Sequence, residues 1–374
     1  MQLFWHGPVL GQSGYEEITR GMLFALDKIG VKVALSLAAN WNREMITMTK
    51  DDQLRLSRMM NTPAEEGVPL VMHQKDQNVD WSSGKHYCYT LFETDRLPKP
   101  WIECLKKMEK IFTFSQSNKD SWIKNSGFNE DQIQVLPFGV DKNRFNPDGP
   151  KAKFLNTKSF KFITNGDFTE RKNFELLIKA FIEEFKASDD VCLIIKTHYD
   201  GFIKRDKVRL LARIKSLVKS YAGDKVPPRI LFFGDKISGE NIANFYRAGD
   251  CFVLPTRGEG LGLPYIESMA CGVPVIASNW GSQLDYVENE LNGYLIDGEL
   301  ETIDSIDYIS KCPHALNHKW FNVDKDKLKE KMRLAFEDRG TLKKMGDNAC
   351  ETMQDKDWHN TAINLIQTIF GEKK

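Results

Sequence analysis

The sequence lacks any cysteine pair at Cys-x-x-Cys spacing. Its seven cysteines, Cys88, Cys104, Cys192, Cys251, Cys271, Cys312 and Cys350, are scattered and odd in number. That argues against a cysteine zinc site or a disulfide scaffold and for a reducing compartment. No apolar run approaches the roughly 20 residues of a membrane span. The stretch "LFWH" at 3–6 runs straight into a glycine loop, which leaves no room for a signal peptide. An excess of one charge is lacking as well: 52 Lys+Arg stand against 52 Asp+Glu, so gripping polyanions is not the expected main role. Internal repeats and low-complexity tracts are absent. The expected location is the cytoplasm, with the inner face of a membrane as a peripheral station.

What is present fits a soluble globular chain, 41% hydrophobic and 28% charged, and its 374 residues exceed one comfortable core. Short apolar runs alternate with amphipathic stretches from end to end, the pattern of a parallel sheet covered by helices on both faces. "LFWH" reads as a strand, "GPVLGQSG" as a loop, "YEEITRGMLFALDKIG" as a helix and "KVALSLA" as the next strand. Ser13 and Glu16 fit a capping box, and Gly30 fits the helix stop. Later strand candidates in this half are "PLVMH", "KHYCYTLFE", "KIFTFS" and "IQVLPFG". A second series starts near residue 158 and supplies "SFKFITNGDF", "VCLIIKT", "RILFFGD", "CFVLPT", "PVIAS" and "GYLID". The polar segment 141–159, with Pro147, Gly149 and Pro150, reads as a linker. The divisions expected are 1–150, 151–354 and a last helix within 355–374, which has one apolar face.

The densest chemistry lies in "RGEGLGLPYIESMACGVPVIASN", residues 257–279. A strand enters, a nearly bare loop turns, and a helix leaves with Pro264 in its first turn. Such a corner points backbone amides and a positive helix end outward, which suits a phosphate or a sugar hydroxyl. Glu259 and Glu267 can then face one crevice, and ionised carboxylates bind vicinal hydroxyls well. On spacing alone, Glu267 as a helix-dipole partner and Glu259 as a solvated loop acid serve equally.

The longer stretch "EGLGLPYIESMACGVPVIAS…GS…YVENELNGYLI" resembles the signature of glycosyltransferase family 4, the large retaining group with the GT-B fold. The resemblance implies Glu259 at the donor hexose and Glu267 on the nucleotide ribose. Amides around Gly260, Leu261 and Gly262 would meet sugar and phosphate. "NGDFTERKNFELLIKAF" at 165–181 is similar to the family's phosphate-binding segment, which includes Gly166 and makes Arg171 and Lys172 candidates to stabilise charge on a departing nucleoside diphosphate. Many members have Arg directly after the glycine, where this chain has Asp167. The loop "GPVLGQSGY" is not a Gly-x-Gly-x-x-Gly fingerprint, so no nicotinamide cofactor is indicated. It resembles the family's first glycine loop, with Gly11, Gln12, Ser13 and Gly14 near the donor, although any tight strand-to-helix turn also wants glycine. In "YTLFETDRLPKPW", Glu93 stands where many relatives carry a sugar-contacting His, making it a candidate to orient the acceptor hydroxyl. His73 and His86 read as structural.

Two "DKD" triplets, at 324–326 and 355–357, imitate a metal-binding Asp-x-Asp but sit at helix entries, so no metal is expected. The basic amphipathic segment 202–221 could lie on an anionic membrane or a nucleic acid, or simply present a solvated face.

The combined expectation is an α/β protein of GT-B type: two facing doubly wound, Rossmann-like domains, with the last helix crossing back to the first. The implied activity is retaining transfer of a hexose or related sugar to a glycan, glycolipid or protein-linked glycan. The donor would be UDP- or GDP-linked, and no cofactor or metal would be needed. A non-catalytic sugar-nucleotide-binding subunit and a transferase on modified nucleic acid are the alternatives. A phosphorylase is disfavoured, because no pyridoxal lysine segment is found.

Overall fold

The computed structural model describes residues 1–11, 13–38, 48–73, 84–199, 204–235 and 237–371. In chain order the elements begin β1 (Gln2–Gly7), α1 (Gly14–Lys28), β2 (Lys32–Leu37), α2 (Lys50–Met60), β3 (Leu70–His73) and β4 (His86–Tyr89). Next come α3 (Lys99–Leu105), β5 (Lys110–Thr113), α4 (Gln116–Ser126), β6 (Ile133–Val135), β7 (Phe160–Asp167), α5 (Phe174–Glu184), β8 (Val191–His198) and α6 (Lys204–Ala222). They continue with β9 (Arg229–Phe233), α7 (Ile242–Arg247), β10 (Cys251–Leu254), α8 (Leu263–Ala270), β11 (Val275–Ser278), β12 (Gly293–Ile296) and β13 (Gly298–Thr302). The last are α9 (Ile306–Lys311), β14 (Lys319–Val323), α10 (Lys325–Glu337), α11 (Arg339–Thr352) and α12 (Trp358–Phe370).

The chain forms two compact units, Met1–Asp141 with Lys356–Lys374, and Lys142–Asp355. The polar segment after Asp141 packs on the second unit, where Ala152 donates its N–H to the Asn244 carbonyl at 2.8 Å and Arg247 bonds the carbonyls of Asn146 and Pro150.

The first unit holds a parallel sheet in the order β2-β1-β3-β4-β5-β6. Its core combines Leu70, Met72, Cys88, Leu105, Ile111 and Trp122. The capping box read from Ser13 and Glu16 is present at the start of α1. Helix α12 belongs to this unit and packs along α1, burying Ala362, Leu365, Ile366 and Ile369. Trp358 seats it: a Cβ on Gly21 would stand 2.5 Å from the indole, and one on Gly139 would stand 2.4 Å from the Trp358 backbone nitrogen. Thr361 locks the first turn by donating to the Pro137 carbonyl at 2.7 Å.

The second unit repeats the plan, with a parallel sheet ordered β12-β11-β10-β7-β8-β9. Both faces of this sheet are covered, which is why β8 reads as an unbroken apolar run, buried from Val191 through Thr197. β7 is central, with β8 and β9 on one side and β10 to β12 on the other. The order reverses between β7 and β10, and in open α/β sheets ligands bind outside the strand carboxyl ends at such a reversal. An antiparallel ribbon, β13 with β14, stands apart from this sheet and carries a small core of Ile303, Ala315 and Trp320.

Candidate active site

The loops that leave β7 and β10 meet at this reversal, within the second unit. Glu259, in the loop after β10, is 6% exposed, and Lys172, in the loop after β7, is 7% exposed. The Lys172 Nζ donates to both Glu259 oxygens, at 2.8 and 3.0 Å. Arg171 Nη1 reaches the Gly258 carbonyl at 2.6 Å and Glu259 Oε1 at 3.3 Å, and the Thr256 hydroxyl donates to the same oxygen at 2.9 Å. Burial by itself would raise the Glu259 carboxyl; the charges of Lys172 and Arg171 outweigh it and hold the group below its ordinary value. The sequence reading gave the cations and this acid to different partners of a donor, whereas the structure joins them to each other. A buried ion pair of this kind is a poor source of stability, since apolar replacements do as well or better. Its presence at a strand-end reversal therefore points to chemistry.

Glu267 lies on α8, one turn beyond the loop. Its Oε2 accepts from the Tyr246 hydroxyl at 2.7 Å, and Tyr246 in turn accepts from Asn165 Nδ2 at 3.1 Å. Burial, then the charge of Glu267, pushes the Tyr246 phenol well above its ordinary value, so it stays a donor. Gly260 and Leu261 are buried, and Tyr286 donates to the Leu261 carbonyl at 2.7 Å. The loop is thus propped from beneath by side chains. Gly262 takes φ +80° at the start of α8, and a Cβ there would lie 2.6 Å from the Tyr286 hydroxyl. Gly166 ends β7 against the stem of Lys172.

At Asp167, where an arginine is common in the family the sequence resembles, the carboxylate lies 3.0 Å from His198 Nε2. Burial pushes this carboxyl up; the hydrogen bond and charge of His198, with Lys172 and Arg171 behind, bring it down to about 2.

The ribbon of β13 and β14 grips the loop after β10, and the connection between its strands reaches the loop after β7. Arg257 pairs with Glu301, its guanidinium lies 4.7 Å over the Trp320 ring, and its carbonyl accepts from the Phe321 N–H at 2.8 Å. Ser305 bonds Glu170, next to Arg171. Trp280 stacks on Phe321 with the rings 8° from parallel.

The remaining candidates lie in the first unit. Gly11 gives its N–H to Glu16, and Arg20 bonds the carbonyls of Val9 and Gly11, so two buried charges of α1 hold the loop. Ser13 caps α1 and Gly14 begins it; Gln12 lies outside the described residues. Glu93 accepts from the Tyr15 hydroxyl at 3.2 Å. The sequence reading did not single out Arg20, Asn165, Lys196, Tyr246 or Tyr286, and it took Glu16 only as a helix cap; the one signal available was a charged residue following an apolar run, as Lys196 does. The two Asp-Lys-Asp triplets serve as helix entries: Asp324 caps α10 and Asp357 caps α12. Along α6, Leu210 and Ile214 are buried, Arg213 pairs with Glu175, and Lys207 pairs with Asp235. No helix among the described residues is long and apolar enough to cross a membrane.

Residues 146–322 match the family described as Glycosyl transferases group 1. Over 269 residues the chain is 29% identical to an Escherichia coli UDP-Gal:alpha-D-GlcNAc-diphosphoundecaprenol alpha-1,3-galactosyltransferase, covering 69% of this chain and 62% of that one. It is 32% identical over 180 residues to a GDP-mannose-dependent monoacylated alpha-(1-6)-phosphatidylinositol monomannoside mannosyltransferase of Corynebacterium glutamicum, covering 44% of this chain and 43% of that one. The matched regions therefore span less than two thirds of these relatives. Among solved structures, a sucrose-phosphate synthase of Thermosynechococcus elongatus superposes with a TM-score of 0.69 at 18% identity, over 98% of both chains. The Anabaena protein HepE in complex with UDP-glucose superposes with a TM-score of 0.67 at 14% identity, over 99% of both. The chain therefore has the GT-B fold, and its residues 146–322 are similar to the glycosyl transferases group 1 family.

Proposed function

We propose that the protein is a retaining, metal-independent glycosyltransferase. It moves a hexose or related sugar from a UDP- or GDP-linked donor to a hydroxyl of a glycan, glycolipid or protein-linked glycan. The observation that carries this reading is the buried cluster of Arg171, Lys172 and Glu259 at the strand reversal of the second unit. When the glycosidic bond to the diphosphate breaks, negative charge develops on the leaving group. Two fixed cations in a buried loop are the arrangement that stabilises such charge without reorganising. Glu259 then turns from the cations to the sugar hydroxyls, Glu267 takes the ribose, and amides of Gly260 to Gly262 complete the donor pocket. Glu93 is assigned to the acceptor hydroxyl. The names of the two curated relatives carry UDP- and GDP-linked donors and lipid-linked acceptors, which supports the reading. Peripheral membrane contact through α6 belongs to the same proposal.

A thermal-shift screen of the whole chain against UDP, GDP, ADP and their sugars tests it, because a ligand that binds only the folded state raises its apparent stability. One nucleotide is expected to raise the melting temperature, and its sugar ester to be hydrolysed slowly in the presence of EDTA. Lys172→Ala is expected to weaken nucleotide binding by about tenfold to a hundredfold, in line with a charged hydrogen bond, and Glu267→Ala by less. Unchanged affinity in both variants would refute the assignment.

A further inference from the structure

Strand β8 ends in a charge that its apolar run does not need. Lys196 follows Val191–Ile195 and is 7% exposed. It stands in register with Asn165 of β7, so the two side chains leave the sheet on one face. Two positions further along, Asp167 and His198 share that face, again in register. On the same face Asn165 bonds Tyr246, which bonds Glu267. Burial pushes the Lys196 ammonium down, while the carboxylates of Asp167 and then Glu267 pull it up. The ammonium is thus drawn toward two acids, Asp167 before Glu267.

We infer that Lys196 is a positioning residue for the nucleotide end of the donor site: sharing a strand-end face with Asp167, Asn165 and the Tyr246–Glu267 pair, its charge orients the Glu267 carboxylate to accept the ribose hydroxyls. This rests on the function proposed above. Without Lys196, Glu267 loses the attraction of that ammonium, and its carboxylate is held less firmly toward the ribose hydroxyls. The Tyr246 hydroxyl is a neutral donor to one oxygen of Glu267.

Calorimetric titration of the whole chain with UDP and GDP, each beside its 2′,3′-dideoxy form, tests the inference. Lys196→Met is expected to weaken binding of the natural nucleotide by about tenfold or more. The dideoxy form, which offers Glu267 no ribose hydroxyls, should be affected less than about threefold, a contrast that a general loss of structure would not produce. Lys196→Arg should restore most of the affinity. In a Glu267→Gln background, which removes that attraction, Lys196→Met should add little, because residues acting through one another are not additive. The double variant keeps the comparison available if Lys196→Met alone does not fold. Equal losses for natural and dideoxy nucleotides, or full additivity with Glu267→Gln, would overturn the inference alone. Absence of nucleotide binding by the unaltered protein would overturn the functional reading and this inference with it.

Discussion

At the scale of single residues, two carboxylates of the second unit are lowered by cationic neighbours. Asp167 is brought down to about 2 by His198 against the effect of burial, and Glu259 is held below its ordinary value by Lys172 and Arg171 against the same effect. A carboxyl lowered in the folded state stabilises the fold above its unfolded value, about 3.9 for Asp and 4.3 for Glu. That contribution is lost as pH falls through the folded value. The melting temperature should accordingly stay level from pH 7 to about 5 and decline from about pH 4 toward 2. Asp167→Asn should flatten part of that decline in scanning fluorimetry; an unaltered acid slope would show that the pair with His198 contributes nothing. The glutamates were legible in the sequence because both sit on one strand–loop–helix unit, where spacing alone places them. Their partners were not. Lys172 binds Glu259 across 87 positions of chain and Asn165 reaches Tyr246 across 81, and only the folded sheet brings such residues together.

At the scale of elements, the alternation of apolar strands and amphipathic helices was legible because a parallel sheet needs it. The ribbon of β13 and β14 was not, since "GELET" after the Asp-Gly turn is mostly charged and polar and its partner strand lies beyond α9. Helix α12 offers the sharper test. A methyl group on Gly21 would strike the Trp358 ring, whereas one on Gly139 would strike both the ring and the Trp358 backbone nitrogen. Each alanine should cost about 1–3 kcal/mol in urea unfolding, the range for overpacking. In a Trp358→Ala background the cost of Gly21→Ala should vanish, whereas that of Gly139→Ala should fall only in part, because the backbone contact remains. Equal relief of both would mean that α12 is seated differently.

At the scale of the whole molecule, each unit owns a complete sheet and core, so unfolding is not expected to be a single event. Scanning calorimetry should resolve two transitions, and the nucleotide that binds should raise only the one belonging to Lys142–Asp355, as hydrogen exchange at β7 and β10 would report. A single transition raised as one would contradict this division. The chain as a whole carries no net charge, yet it keeps two cations in reserve behind Glu259. On the function proposed above, that reserve would grade anions by valence. Chloride or acetate brings no more charge than the carboxylate already in place and would gain nothing by displacing it. Two linked phosphates would bring more, and the acid they expel would find new partners on the sugar that arrives with them. Abundant monovalent salts would thereby be turned away by a competitor the protein carries within itself.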